Sequence, residues 1–137
     1  MPENLADVVS TADRRVISSS ALTTRQRCLS LLPEQDRMVM GLLQSDPPAS
    51  IRQVAALLNR SPGTVSRKAA RIRRRLRHPV VIALASRGHT LSSRFFDIAI
   101  ALFAAGQPPH LVARRLDAET RDIVAIKQYL HGWAKSA

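Results

Sequence analysis

Apolar residues recur along this chain at spacings of three and four and hardly ever alternate, a pattern that predicts helices rather than strands. In "ALTTRQRCLSLL", Leu22, Cys28, Leu29 and Leu32 keep near-helical spacing. Pro33 opens the next predicted helix, "PEQDRMVMGLL". Its first turn holds Glu34 and Asp36, where the helix dipole favours acids, and its Leu, Met and Val residues over 38–43 are expected core. "QSDPPAS" reads as a turn, Ser50 as the N-cap of "IRQVAALL", and Asn59 as the end of that helix. Ser61 then caps a helix that begins at Pro62, runs to about Arg77 and is stopped by Pro79. Within it Val65, Ala69, Ile72 and Leu76 form one apolar stripe. Gly63, Arg67, Ala70 and Arg74 lie opposite, with Thr64, Lys68 and Arg71 along a flank.

Further on, "VVIALA" (80–85) fits a strand or a helix, and periodicity does not choose between them. "SRGHTLSS" reads as a hinge. "SSRFFDIAIALFAAG" is an apolar helix ending at Gly106, "QPPHLVARRLD" starts another through Pro108 and Pro109, and "AETRDIVAIKQYLHGW" supplies the last. An internal repeat emerges here. Val54, Ala55, Leu58, Asn59 and Val65 match Val112, Ala113, Leu116, Asp117 and Ile123 at a constant offset of 58 residues, which suggests two copies of one tri-helical unit. Ile123, Ile126 and Leu130 would be the core stripe of the second copy, with Tyr129 and Trp133 offering contact area beside it.

Length and composition narrow the picture. At 137 residues the chain makes one domain or two very small ones. Aromatics are so few (4%) that its core must be Leu, Val, Ile and Ala. The expected fold class is therefore all-α: a lead-in over 1–20, a helical unit over 21–79 and a helical C-terminal unit over 80–137. Cys28 is the single cysteine and the four histidines show no ligand spacing, so no disulfide, metal or other cofactor is expected. No phosphate-binding glycine loop, nucleophile elbow or acid–base cluster accompanies Glu34 and Asp36, so no catalytic residue is named and an enzyme is not expected. Neither a signal-type segment nor an 18-residue apolar run is found, so a cytoplasmic, nucleoid-associated bacterial protein off the membrane is expected.

Charge changes the picture most. The net charge is +11, yet residues 1–59 balance to zero and residues 78–137 carry only +3. Residues 60–77 hold eight cations and no acid. A solvated face would interleave both signs, and a membrane-surface helix would need bulkier residues than Ala69 on its apolar stripe. A nuclear-targeting tag explains none of the flanking spacing. A duplex groove explains all of it: Ala55 is small where two helices would touch, Asn59 forms the turn four residues later, and Val65 packs the second helix under the first. This is a helix-turn-helix, whose second helix enters the major groove.

The stretch "LLPEQDRMVMGLL…IRQVAALLNRSPGTVSRKAARIRRRLRHP" resembles region 4 of bacterial sigma factors, the domain that reads the −35 promoter element. The likeness spans roughly residues 22–79; response regulators of the LuxR type and many transposases share its middle. It implies base contacts from Ser61, Gly63, Thr64, Ser66 and Arg67, and backbone or flanking contacts from Arg60, Lys68, Arg71, Arg74 and Arg75. Primary sigma factors carry charged side chains at the positions of Pro62 and Gly63, a departure here. The likeness is to a lone fourth domain, not to a complete sigma factor. It implies double-stranded DNA as partner and a transcriptional regulator as function. RNA polymerase binding as an activator or antiactivator, or service as an accessory protein of a mobile element, stand as alternatives. In the second copy Glu119 and Asp122 would face phosphates badly. Its possible DNA contacts are Arg114, Arg115, Thr120, Arg121 and Lys127; homodimer formation and plain structural support are the other roles open to it.

Overall fold

The structure, a computed structural model, describes residues 23–136. Among these residues the chain is helical throughout, without a strand: α1 (Thr24–Ser30), α2 (Glu34–Leu43), α3 (Ile51–Leu58), α4 (Pro62–Leu76), α5 (Pro79–Arg87), α6 (Ser93–Ala99), α7 (Pro109–Arg115) and α8 (Thr120–Lys135). A 3-10 turn over Gly88–Thr90 precedes α6, and a π-helical segment, Ile100–Ala104, continues it. The expected lead-in over 1–20 lies outside the described residues, as does Leu22.

Most helix starts are set by local side chains. Thr23 and Gln26 form a reciprocal capping box on α1, and Ser50 and Gln53 form another on α3. Ser61 caps α4 and Ser92 caps α6. Pro62, Pro79 and Pro109 each occupy a first helical position, where a missing N–H costs nothing. The ambiguous "VVIALA" is helical, because Pro79 starts a helix there and Val80, Val81, Ala83, Leu84 and Ala85 are all buried against neighbouring helices. The expected hinge is a packed turn: a Cβ at Gly88 would come within 2.6 Å of the Phe96 ring. Gly106, at φ +71°, ends the α6 and π-helical run in the left-handed conformation that glycine adopts without strain.

Two apolar clusters hold the helices together. One joins Leu32, in the turn before α2, with Val39, Met40, Val54, Ala55, Val65 and Ile72 from α2, α3 and α4. The larger one is built by α5, α6, the π-helical segment, α7 and α8, and it also takes Cys28 and Leu31 from the α1 end of the chain. Leu76, the last residue of α4, packs against both clusters. Burial pushes the Cys28 thiol pKa up. Of the expected core over 38–43, Val39 and Met40 are buried, while Met38 faces outward.

Candidate nucleic-acid interface

The α3–turn–α4 unit is fixed by a left-handed residue and three backbone hydrogen bonds. Asn59 sits at φ 55°, in the region where Asn and Gly are the usual helix enders. The Arg60 N–H donates to the Ala55 carbonyl at 3.0 Å and the Asn59 N–H to the Ala56 carbonyl at 3.3 Å, closing α3. The Val65 N–H donates to the Ser61 carbonyl at 3.1 Å, opening α4. Val65, Ala69 and Ile72 are buried and Leu76 half-buried, so one stripe of α4 is committed to the core. Everything on the opposite stripe is necessarily presented to solvent.

At the start of that outward stripe, the Ser61 hydroxyl accepts from the Thr64 N–H at 3.2 Å and lies 2.8 Å from the Thr64 hydroxyl. Gly63, Ser66 and Arg67 are exposed around them. Arg67 folds back over the first turn, its Nη2 3.5 Å from Thr64 Oγ1, a long contact that a better acceptor would displace. Arg60, Arg71 and Arg74 are exposed as well. Arg73 and Arg77, not named among the expected contacts, are equally exposed. The signal for them was present, since both belong to the acid-free run.

Lys68 and Arg75 behave differently. Both were expected to make backbone or flanking contacts with the duplex, and both turn onto Asp36 of α2. Lys68 Nζ lies 3.2 Å from Asp36 Oδ1 and donates to Gln35 Oε1 at 3.0 Å. Arg75 Nη2 lies 3.2 Å from Asp36 Oδ2, and its Nη1 donates to the Ala104 carbonyl at 3.0 Å. Asp36 is only 6% exposed, a buried carboxylate whose cost of desolvation is offset by two cations. Reading it as a helix-capping acid missed this, because nothing in its local sequence announces partners 32 and 39 residues away.

The second unit, α7–turn–α8, reproduces the first at the same offset of 58. Asp117 is left-handed at φ 53°, the Ala118 N–H donates to the Ala113 carbonyl at 2.9 Å, and the Asp117 N–H donates to the Arg114 carbonyl at 3.4 Å. The Ile123 N–H donates to the Glu119 carbonyl at 3.3 Å, in place of Val65 and Ser61. Val112, Ala113, Ile123 and Leu130 are buried at the positions of Val54, Ala55, Val65 and Ile72, and Ile126 is half-buried. Its candidate cations are not gathered into a row. Arg114, Arg115, Thr120 and Arg121 are exposed, but Arg121 pairs with Glu119 at 2.6 Å and Arg115 donates to Gln107. Lys127 is half-buried and its charge acts on His78. Trp133 is engaged from within: the Arg87 guanidinium stacks 4.7 Å from its ring and donates to the Trp133 and Ala134 carbonyls.

The joint between the units is a ring cluster. His78, the N-cap of α5, lies 4.9 Å from the Phe103 ring and 5.5 Å from that of His131, and its Nδ1 accepts from the Val80 N–H at 3.1 Å. Burial first, then the charges of His131 and Lys127, hold the His78 pKa below its ordinary value.

Among the described residues no helix is long and apolar enough to cross a membrane. Compared with known families, residues 32–74 match winged helix-turn-helix DNA-binding domains. No curated protein and no solved structure matches the chain. The matched span runs from Leu32 through α2 and α3 to Arg74 in α4. It is a helix-turn-helix DNA-binding domain, and a helix, α5, follows α4 directly, with no β wing among the described residues.

Proposed function

We propose that the chain is a sequence-specific regulator that binds double-stranded DNA by laying α4 in the major groove, a reading head of the kind found in sigma region 4. The observation that carries this is the outward stripe of α4, which is exposed, rigidly backed by a buried stripe, and lined by arginines without one acid. The major groove is wide enough for one helix, and hydroxyls and guanidinium groups match base edges there. Ser61, Gly63, Thr64, Ser66 and Arg67 belong to the end of α4 that enters first, where base contacts form. Arg60, Arg71 and Arg74, with Arg73 and Arg77, suit phosphates on either side.

The test is a titration of matched and mismatched duplexes at several salt concentrations. Neutralising about five phosphates gives a slope of log K against log[salt] of about −4 to −5. Arg67→Ala should lower discrimination between the two duplexes by about 1–3 kcal/mol, while Arg74→Ala should weaken both alike and make the slope shallower by about 0.9. Uniform losses from both variants would defeat the base-reading role of Arg67.

A specific observation favours a protein contact for the C-terminal unit. On α8 the positions equivalent to Arg67, Arg71 and Arg74 hold Ala125, Tyr129 and Gly132, a small and largely uncharged face with Tyr129 54% exposed. A helix with that face packs on another helix more readily than on phosphates, and a second copy of the chain is the partner we assign. Sedimentation across a concentration series tests it. A dimer lost on Ala125→Glu supports the assignment, and a monomer at every concentration ends it.

A further inference from the structure

Eight cations stand between Arg60 and Arg77, yet the outward stripe and its edges hold only six of them. Lys68 and Arg75 lie two turns apart on one flank of α4, and one buried carboxylate, Asp36, takes both. Two attachments a helical pitch and more apart along the same flank do more than one can. Both oppose a roll of α4 that carries this flank away from Asp36. Because they converge on one carboxylate from two turns apart, they also oppose sliding of α4 along its axis. Arg75 is held from a third side, by the Ala104 carbonyl, and its stem lies against Gly106, where a Cβ would approach Arg75 Cδ to 3.1 Å.

From this geometry we infer that Asp36 is a specificity-determining positioning residue: it sets which stripe of α4 faces the groove and withholds Lys68 and Arg75 from the duplex, without itself touching DNA. The inference rests on the reading of α4 as the DNA-binding helix. Its physical basis is a difference between two kinds of affinity. A phosphate contact strengthens binding to every sequence, whereas a base contact strengthens binding to one. Cations free to reach phosphates from a poorly fixed helix raise the first kind at the expense of the second. Paired internally, Lys68 and Arg75 add rigidity and no sequence-independent affinity.

The experiment is duplex titration across salt with the full chain and four variants: Asp36→Asn, Lys68→Met, Arg71→Gln and Arg74→Gln. Folded Asp36→Asn should bind mismatched duplex more tightly, steepen the salt slope by about 0.9 for each cation it releases, and lose about tenfold or more in the matched-to-mismatched ratio. Wild-type slope and ratio in that variant would overturn the inference. Where Asp36→Asn does not fold, Lys68→Met decides. A wild-type slope supports internal pairing of Lys68, against losses of about 0.9 for each of Arg71→Gln and Arg74→Gln. An equal loss for Lys68→Met makes it a phosphate contact and overturns the inference alone. Absence of salt-dependent binding by the unsubstituted chain would remove the DNA-binding reading first, and this inference with it.

Discussion

At an offset of 58 residues, Ile72 and Leu130 occupy the same buried position on α4 and α8, and Asn59 and Asp117 the same left-handed turn. Over the same span Arg67, Arg71 and Arg74 correspond to Ala125, Tyr129 and Gly132, and Ser66 to Val124. The two units thus keep the residues that shape a helix-turn-helix and exchange the residues that would give it a partner. Shape needs few positions: a small residue where the helices touch, a turn residue tolerant of positive φ, and branched side chains beneath the second helix. The outer stripe is under no such constraint, so one backbone carries a row of cations in the first unit and a largely uncharged face in the second.

The largest expected effect tests whether the two units are built alike. Ile72→Ala and Leu130→Ala each remove a fully buried branched side chain and should each cost about 2–5 kcal/mol in denaturant unfolding, the spread reflecting how far each cavity collapses. Ile72→Ala should also abolish duplex binding at temperatures where Leu130→Ala retains it, since only α4 presents the cation row. A loss below about 1 kcal/mol at either site would break the structural equivalence.

How much of this was legible beforehand differs by kind of residue. Caps, prolines and the apolar stripe of α4 act within a few residues of themselves, so Ser50, Ser61, Pro62 and the Val65–Ile72 stripe could be read directly. The repeat could be read too, because Asn59 and Asp117 are punctuation that sequence displays. Two things could not. "VVIALA" is buried on nearly all sides, and burial of that kind erases the periodicity that separates helix from strand. Asp36 looked like a first-turn acid because its partners are far along the chain, and the row of cations looked uniform because sequence does not say which flank meets α2. Length of contact, rather than strength, decided what stayed hidden.

A smaller effect probes the shared turn. Alanine at either left-handed position meets the steric cost of a Cβ at positive φ, so Asn59→Ala and Asp117→Ala should each lose about 1 kcal/mol. Asn59→Gly and Asp117→Gly should be neutral or slightly stabilising. Matching behaviour at the two sites in thermal melts would confirm that the turns carry the same load. A penalty at Asn59 alone would mean that the second turn is held by its surroundings instead.

The smallest expected effect lies at the joint between the two units. His78 caps α5 through an unprotonated Nδ1, and its ring meets Phe103 and His131 of the second unit. Protonation at Nδ1 would remove the acceptor and set a cation beside His131, Lys127 and the positive end of the α5 dipole. A histidine whose folded pKa is lowered binds fewer protons folded than unfolded, so its contribution is complete above about pH 6.5 and drains away as pH falls below that value toward the folded one. His78→Asn keeps a capping acceptor and does not titrate. The melting temperature of the unsubstituted chain should therefore fall more steeply than that of His78→Asn between about pH 7.5 and pH 5.5. Because the outward stripe of α4 takes no part in the ring contacts of the joint, duplex affinity should change less than stability over the same range. Parallel curves for the two proteins would place the responsive proton on another group and leave the joint indifferent to acid.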